Sequence, residues 1–516
     1  MRLQFMRLIS IILIAVLCIA LQGCENKREE PGDTPGNENP NVSAEFSGEL
    51  YLPYTLSDSF NPYTAETKIN REISTLLYDS LIVLDENMQP EYRLAESVSI
   101  EGLNCVIKLR EATFSDGTKV TSEDVTSSIK AALASPYKYK DQLSNVAAYN
   151  AADAKTVTIT LHTPDPYFTS MLDFPIYKMN TENLKNEDNK ELPPTGSGRY
   201  IYSSDGGDIS LLARDGWIGG EVSVKKITLI NAPDNDALQH NIESSGISMY
   251  YTDLSDESVP GWSQSLMKTP LTNLVFIGVN SSKQTLQPAS MRRAISNAVN
   301  RQTIAEDAFY SYAEGATGLY HPYFYAVKDM QHINTVSDDG GAAAEFAAAG
   351  YSEKNNDGYF IINGETIKLE IIVNSENISR MYAAEIVKNS LRRAGIQAEV
   401  VSVPLEEYNS RITSGNFDLY IGETKLPKNF DMSVFFTDGA AASYGIDAAS
   451  PVKVKYAEYK GGTASISDFI ATFENEMPII PLVYRCGLLC YTSSLPSQPV
   501  ATISDIYYNI HNYAKT

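Results

Sequence analysis

A strand, a turn and a capped helix follow one another within residues 102–128, and this order constrains the fold more than any other local feature. Polar and apolar side chains alternate over residues 107–110, which is the pattern of a half-buried strand. A Ser-Asp-Gly turn comes next, and Thr121 stands three residues before Asp124, a spacing that resembles a capping box with a shorter acid. The stretch therefore predicts a helix that begins at Ser122 and serves as scaffold.

The amino terminus has the pattern of an export signal. Arg2 and Arg7 precede a mostly apolar run over residues 8–21, which is too short for a comfortable membrane span. The run ends in Leu-Gln-Gly-Cys, which is similar to a bacterial lipoprotein box. We therefore expect a signal peptide at residues 1–23 and a lipid on Cys24, with an ordinary secretory signal and an incidental cysteine as the alternative. A stable tether requires more than one acyl chain.

Charge excludes one class of partner. The formal net charge is −23 at pH 7, and removal of residues 1–23, which carry two positive charges and no negative ones, makes it −25. Nucleic acid is therefore not expected as a partner, because phosphate binding needs a basic surface. Residues 24–44, rich in Glu, Asn, Pro and Gly, predict a flexible acidic linker.

The cysteines give no disulfide framework. One of the five leaves with the signal peptide and Cys24 is the predicted anchor, which leaves Cys105, Cys486 and Cys490. Four residues along a strand span about 13 Å, beyond disulfide reach, so the last two could pair only across a turn at Gly487. Since the sequence has no C-x-x-C pair and no Cys/His cluster of zinc spacing, we expect buried free thiols.

The length of the chain predicts more than one domain. A chain of 516 residues is too long for a single core, and the usual domain size gives two or three domains. No Pro-rich or Gly/Ser-rich linker interrupts the chain after residue 50. Domains that meet without such linkers can exchange the chain more than once, which favours a lobe built from discontinuous segments.

The second half of the sequence predicts a crossover unit. A helical pattern over residues 379–394 ends at a glycine and is flanked by strand patterns at 367–373 and 397–403. Strand, helix and strand in this order form the crossover of a parallel sheet. Later strands at 417–422 and 478–491 are expected to extend this lobe and to lead the chain back to the first one.

The motif at residues 114–128 resembles the signature of the peptide/nickel class of ABC-transporter solute-binding proteins, which is extracellular solute-binding protein family 5 and includes oligopeptide- and dipeptide-binding proteins. In that family the pattern is F-x-D-G-x-P-x-T-A-x-D-V-x-x-S. The matching residues are Phe114, Asp116, Gly117, Thr121, Asp124, Val125 and Ser128, with Val120 near the usual proline.

Further segments follow the family's order along the chain. Residues 60–62 and 77–81 resemble its opening strand, loop and first helix, and 276–280 followed by 291–301 resembles the start of the second lobe. Residues 194–200 resemble a P-x-G-T-G-x-Y turn, whose glycines we expect to supply backbone conformations closed to other residues. One face of the later helix is apolar and predicted to be core: Met291, Ala294, Ile295, Ala298 and Val299.

The resemblance implies an α/β protein with the two-lobed periplasmic-binding-protein fold, type II, of the large cluster with an extra subdomain. Mixed sheets flanked by helices would form two lobes around a hinged cleft. Lobe 1 is expected from residues 45–75, 190–275 and 475–516, its extra subdomain from 76–189, and lobe 2 from 276–474.

The resemblance also implies a receptor that is not an enzyme. Such proteins bind a solute in the cleft, shift to a closed form, and deliver the solute to the permease subunits of an ABC importer. We expect an extracytoplasmic monomer, held at the bacterial membrane by the lipid on Cys24. No cofactor and no metal is expected, because the five histidines are scattered and give no nickel or zinc pattern.

In peptide-binding relatives an acidic residue after a late strand of the second lobe pairs with the amino terminus of the peptide. The matching segment here is residues 422–432, in which Glu423 replaces the usual Trp and Lys425 falls near the position of the acid. The candidate ligand-binding residues in this segment are Glu423, Lys425, Asn429 and Asp431. Asp431 or Glu423 could replace the missing acid, and the alternative is that both are exposed loop charges.

Two other segments align with the family's pocket. Glu66, Thr67 and Lys68 correspond to a loop that can pair with an extended peptide backbone, and Tyr250 and Tyr251 to pocket aromatics near the chain crossing. The chain has 32 tyrosines and 2 tryptophans, which favours a peptide ligand, because sugar sites usually use tryptophan as well. An oligosaccharide remains the alternative ligand.

Two functions other than a transporter receptor are compatible with parts of the sequence. A ligand sensor without a transporter would have the same fold and the same closure. An exported serine hydrolase is suggested by Ser127 and Lys130 in an S-x-x-K motif, but the same motif recurs at residues 135–138. No K-T-G and no G-x-S-x-G motif occurs in the sequence, which disfavours the hydrolase.

Overall fold

The computed structural model describes residues 48–187, 189–205, 207–244, 246–255, 261–262 and 265–513. These residues belong to one compact unit. The predicted signal peptide, Cys24 and the linker at 24–44 lie outside the described residues.

The strands are distributed along the whole of this unit. In chain order they are β1 (Glu49–Tyr54), β2 (Ile82–Leu84), β3 (Pro90–Tyr92), β4 (Ala95–Glu101), β5 (Asn104–Leu109), β6 (Val146–Asp153), β7 (Thr156–Leu161), β8 (Tyr200–Asp205), β9 (Asp208–Ala213), β10 (Lys226–Asn231), β11 (Met249–Thr252), β12 (Ser265–Val279), β13 (Ala313–Gly315), β14 (Ile361–Ile362), β15 (Glu365–Thr366), β16 (Lys368–Asn374), β17 (Gln397–Val403), β18 (Leu419–Lys425) and β19 (Ile479–Tyr491).

The helices lie between these strands. In chain order they are α1 (Lys68–Leu77), α2 (Ser122–Ala134), α3 (Lys138–Gln142), α4 (Asn235–Glu243), α5 (Ala289–Ala298), α6 (Arg301–Thr303), α7 (Asp339–Ala348), α8 (Ile378–Ala394), α9 (Leu405–Thr413), α10 (Ser433–Phe436), α11 (Pro451–Lys460) and α12 (Ile466–Glu476). Among the residues that the structure describes, none of these helices has the length and apolar character needed to cross a bilayer.

Three larger sheets organise the molecule. The first has the order β1-β10-β9-β8, with β1 and β10 parallel. The second is the antiparallel sheet β4-β5-β7-β6. The third has the order β11-β19-β12-β18-β16-β17, with β13 on β19. Because β16 is parallel to both β17 and β18 while the other pairs are antiparallel, this third sheet is mixed.

The strand, turn and capped helix predicted from the sequence are confirmed. Strand β5 alternates between exposed and buried positions, and α2 begins at Ser122. The backbone N–H and the hydroxyl of Thr121 both donate to Asp124 Oδ2, at 2.9 and 2.7 Å. Asp124 also accepts from the N–H of Met179 through Oδ1, at 2.9 Å, so the cap ties the helix to a distant segment.

The crossover unit is also confirmed. Strands β16 and β17 pair in parallel from Lys368 with Gln397 to Asn374 with Val403, and α8 connects them. Gly395 ends the helix in the left-handed region at φ 105°, where glycine is the least strained residue. The predicted apolar face of α5 is buried at all five positions.

The glycines at 196 and 198 serve a purpose other than the one expected. Neither has a positive φ, so the expectation of a restricted backbone conformation was wrong. A Cβ on Gly196 would lie 2.0 Å from the carbonyl oxygen of Leu77. A Cβ on Gly198 would lie 2.4 Å from the carbonyl carbon of Leu77. These glycines therefore allow the close approach of two backbones at the end of α1.

Cys486 and Cys490 both lie on β19, which runs without a turn at Gly487. Both are buried free thiols, as is Cys105, so the prediction for the three cysteines is confirmed. Burial raises the pKa of each thiol to about 12, which keeps all three protonated and unreactive at neutral pH.

Two hydrophobic cores dominate the interior. The carboxy-terminal core takes its buried residues from positions 274–484, with Met88 as an additional member. The amino-terminal core takes its buried residues from positions 50–229 and 501–513, with Met249 and Leu489. Strands β12 and β19 are long and pair with each other from one core to the other. They are therefore the principal sheet connection between the two cores.

Candidate ligand-binding site

A cavity of about 940 Å³ lies between elements of the two cores. This volume is at the upper end of the range of small-molecule sites. Its wall comes from separate parts of the chain, within residues 68–72, 137–145, 163–171, 251–253, 270–272, 425–434 and 502–506.

A β-bulge in β12 forms one side of the wall. The pairing of β12 with β19 shifts register between Pro270 and Leu274, so the residues between them leave the ladder. Two hydrogen bonds connect Thr272 to Leu426. The N–H of Leu426 donates to the carbonyl of Thr272 at 3.0 Å, and the hydroxyl of Thr272 donates to the carbonyl of Leu426 at 2.6 Å. Leu271 lines the cavity at this point.

Lys68, Tyr251 and Asp253 form a compact group on the side of the amino-terminal core. Lys68 Nζ lies 2.7 Å from Asp253 Oδ2 and 4.5 Å from the ring centroid of Tyr251. Burial alone would raise the pKa of Asp253, but the charge and hydrogen bond of Lys68, with hydrogen bonds from Ser255, lower it to about 2. The carboxylate is therefore ionised throughout the neutral range.

Lys425, the last residue of β18, lines the cavity from the side of the carboxy-terminal core. Its ammonium has no hydrogen bond and no ion pair with any residue in the described part of the chain. The residue as a whole is exposed, but partial desolvation of its ammonium lowers its pKa. The positive charges of Lys138, Lys428 and Lys68 lower it further, and only Asp253 among the principal charges raises it. Lys425 thus lines the cavity without a carboxylate paired to it in the described part of the chain.

Lys428 and Asp173 join the two sides of the cavity by an ion pair. The Asp173 side chain is 1% exposed and also accepts from Gln142 Nε2 at 2.7 Å and from Ser504 Oγ at 2.6 Å. The Asp173 carboxylate is therefore held in one geometry by several polar partners.

Asn429 and Asp431 bring a second polar network to the wall. Asn429 Nδ2 donates to Asp165 Oδ2 at 2.6 Å, and burial raises the pKa of Asp165. Asp431 pairs with Lys460 at 2.6 Å and accepts from the Tyr456 hydroxyl at 2.9 Å. Burial would raise the pKa of Asp431, but Lys460 and the hydrogen bonds outweigh it and lower the pKa.

The sequence-predicted residues divide into two groups. Five line the cavity: Lys68, Tyr251, Lys425, Asn429 and Asp431. The other four, Glu66, Thr67, Tyr250 and Glu423, lie outside its wall.

The four residues outside the wall have partners of their own. Thr67 caps α1 and Glu66 precedes it, with the backbone N–H of each bound to Asp58 at 2.8 and 2.9 Å. Glu423 pairs with Arg485 at 3.0 Å. Tyr250 is next to Tyr251 on β11, and alternate side chains of a strand point to opposite faces.

Several wall residues were not predicted from the sequence. Arg71 on α1 lies over the ring of Tyr137, with its guanidinium carbon 4.9 Å from the ring centroid, and Lys138 follows at the start of α3. Residues 502–506 close the wall from the carboxy-terminal end of the chain. Arg71 and Glu72 follow Lys68 by three and four residues along one helix, and this spacing is a signal that could have identified the α1 residues.

The wall provides polar and charged side chains that can bind a ligand. It contains lysine, arginine, carboxylate, amide, hydroxyl and tyrosine side chains, and no histidine or cysteine from the described positions. Ser127 and Lys130 of the S-x-x-K motif lie on α2, away from the cavity. Within the described ranges, no group of three or more His, Cys, Asp or Glu side chains is arranged to hold a metal. Two cores joined by two long strands thus surround a cavity whose wall is rich in polar and charged groups.

Comparison with known protein families identifies the class of protein. Residues 89–441 match the model of the bacterial extracellular solute-binding proteins, family 5 Middle. The chain belongs to this family. The predicted fold class and family are thereby confirmed, and members of this family are solute-binding proteins, not enzymes.

Curated relatives and solved structures extend the comparison. The Glutathione-binding protein GsiB of Shigella flexneri serotype 5b is 24% identical over 410 residues, covering 76% of this chain and 75% of the relative. The protein of the same name from Escherichia coli K12 is 27% identical over 279 residues, and the match spans only 54% of that relative.

Two solved structures show the same fold. A nickel ABC transporter protein from Bacillus halodurans superposes with a TM-score of 0.72 at 20% identity, covering 89% of this chain and 98% of that chain. The murein tripeptide binding protein MppA, in an unliganded open form, gives 0.70 at 16% identity, covering 90% and 95%.

Proposed function

We propose that this protein is an extracytoplasmic receptor that captures a small peptide-type ligand in the cavity and delivers it, chemically unaltered, to the permease of an ABC importer. The cavity itself is the observation that supports this proposal. Charged and polar side chains from the elements around both cores line it. A ligand that contacts both sides favours the closed form, and the permease then binds that form.

A peptide fits the cavity wall better than an oligosaccharide does. Sugar sites usually offer tryptophan faces, and no tryptophan from the described positions lines this cavity, whose aromatic residues are Tyr137, Tyr251 and Phe168. The wall instead carries ionised groups of both signs, which suits a ligand with amide and ionic groups. Relatives named for glutathione and for murein tripeptide bind ligands of this chemical type.

The position of the receptor follows from its amino terminus. We propose that residues 1–23 are removed and that lipid on Cys24 holds a monomer at the membrane, with residues 24–44 as the linker. The domain boundaries predicted from the sequence belong to this proposal, with β12 and β19 as the connection about which the two lobes move.

Native mass spectrometry tests the ligand class. The purified protein is incubated with a pool of di- to pentapeptides and, separately, with a pool of neutral oligosaccharides. We expect one intact peptide per protein and no sugar adduct. A Leu271→Trp variant, which narrows the cavity at its wall, is expected to weaken or lose the adduct, whereas Leu266→Trp on the same strand, exposed and outside the wall, is expected to keep it. A sugar adduct with no peptide adduct would contradict the proposal.

Two further measurements separate this proposal from its alternatives. Because Lys425 lies near the position where relatives have an acid, acetylated and free peptides are expected to bind with similar affinity in calorimetry. Uptake of the bound peptide by cells that lack this gene distinguishes a transporter receptor from a sensor. Loss of uptake supports the receptor, and unchanged uptake supports the sensor.

A further inference from the structure

Some charged side chains of the cavity wall form ion pairs within the protein, and others do not. Lys68 is paired with Asp253, and Lys428 with Asp173. Asp431 is paired with Lys460. Lys425 has no such partner in the described part of the chain, although it lies in the same wall.

A second lysine reinforces this asymmetry. Lys138, at the start of α3, lines the cavity without an ion pair to any described carboxylate and is the strongest positive charge acting on Lys425. Two ammonium groups that face the same space repel each other, and this repulsion adds to the effect of burial in lowering the pKa of Lys425. An anion placed between them would remove this repulsion.

The uncompensated carboxylates of the wall lie elsewhere. Glu72 on α1 and Asp141 on α3 line the cavity without a described ion pair, but neither is among the principal charges acting on Lys425. Asp253 is the only carboxylate among those charges, and it is already bound to Lys68 at 2.7 Å. The space around Lys425 is therefore the cationic end of the cavity.

We infer that Lys425, assisted by Lys138, anchors an anionic group of the ligand, so that the substrate class is small peptides that carry a carboxylate at this end. The inference rests on the proposed function and makes it more specific. Lysine provides a compact charge with three donors, which suits a carboxylate that approaches in more than one geometry.

Three acetylated tetrapeptides test the inference by calorimetry, since acetylation removes the amine from all of them. The first is acetyl-tetraalanine with a free carboxylate, the second is its terminal amide, and the third is an amide in which one alanine is replaced by glutamate. We expect one or both anionic peptides to bind about tenfold or more tightly than the neutral amide. The peptide that carries this preference identifies the source as the chain terminus or an acidic side chain.

Substitutions connect the preference to the lysine. Lys425→Gln is expected to reduce the preference to near unity and to flatten its dependence on salt, because screening acts on the charged pair. Lys368→Gln is the matched control, since Lys368 is an exposed lysine on β16 of the same sheet, outside the cavity wall. It is expected to bind all three peptides as the parent does.

A charge reversal provides a second variant in case the first folds poorly. Lys425→Glu is expected to reject both anionic peptides, and Lys138→Gln to weaken their binding by a smaller factor. Equal affinity of the parent for all three peptides, or a preference that survives in Lys425→Gln, would overturn the inference and leave the peptide proposal intact. Failure of all three peptides to bind would contradict the peptide proposal and, with it, this inference.

Discussion

His321 is a fully buried imidazole in the carboxy-terminal half of the protein. Its ring centroid lies 4.7 Å from that of Tyr484, and its Nδ1 accepts from the N–H of Tyr323 at 3.1 Å. Nε2 has no partner in the described part of the chain, and burial lowers the pKa of His321 to about 3. The folded state therefore holds a neutral imidazole that the unfolded state can protonate.

This difference predicts how stability depends on pH. The ordinary histidine pKa is about 6.5, so the unfolded chain binds one more proton than the folded one at pH values between about 6.5 and 3. Stability contributed by the neutral ring is present above pH 6.5 and is lost as the pH falls. Between pH 7 and pH 5 the parent should lose about 2 kcal/mol more than His321→Phe, measured by urea unfolding. Parallel pH profiles for the two proteins would contradict this account.

Some residues of the cavity wall could be predicted from the sequence, and others could not. Lys425 could be found because the segment around it matches a family pattern and the lysine breaks that pattern. Lys138 could not, since a lysine on a short helix carries no signal until the fold brings it opposite β18. Glu66 and Thr67 match by position, but the chain uses them to begin α1.

At the scale of elements, the approach of Gly198 to the end of α1 gives a direct prediction. The N–H of Gly198 donates to the Leu77 carbonyl at 2.9 Å, and an added Cβ would meet that peptide's backbone, which cannot move away cheaply. Gly198→Ala should therefore lower the free energy of unfolding by about 3 kcal/mol or more.

The control for this substitution is Gly117→Ala. Gly117 has a φ of 83° but open space around it, so only backbone strain of about 1 kcal/mol is expected. Both values come from denaturant unfolding. If Gly198→Ala cost no more than Gly117→Ala, the close approach would not be the reason for glycine at 198.

Elements with a strong local pattern were predictable. The capping box fixes the start of α2 and the periodicity of α8 gives its buried face, because both depend on neighbours in the chain. The bulge at residues 271–273 was not predictable. It depends on a mismatch between β12 and β19, which are more than two hundred residues apart in sequence, and no local pattern records it.

For the whole molecule, the contacts between the two sides of the cavity decide how far the two cores separate. The Lys428–Asp173 pair is one of these contacts, and the Asp165–Asn429 hydrogen bond is another. Met88 adds a buried side chain from the amino-terminal part to the carboxy-terminal core. These contacts connect the two sides of the cavity directly.

Removing one of these contacts should open the ligand-free protein. Asp173→Ala leaves Lys428 without its buried partner, at a cost on the order of 3 kcal/mol, and should increase the radius of gyration in X-ray scattering. Asp253→Ala is the control, because the Lys68–Asp253 pair lies on one side of the cavity only. An unchanged radius in Asp173→Ala would mean that this pair does not hold the two sides together.

The cavity as a whole was predictable in kind but not in detail. The family pattern and the crossover unit indicate two lobes with a cleft, and five of the nine candidate residues line the observed cavity. The remaining wall, including residues 137–145 and 502–506, is brought together by long-range packing around Met171 and Ile506. The spacing of residues in the sequence does not predict that arrangement.

A receptor of the proposed kind holds an unaltered solute between the two cores. Hydrogen-exchange mass spectrometry with and without a bound peptide, combined with mass analysis of the released peptide, tests this most directly. We expect slower exchange on both sides of the cavity, in residues 68–72 and 137–145 and in 270–272 and 425–431, with the peptide recovered at its original mass. Protection on one side only, protection elsewhere, or a cleaved peptide would contradict it.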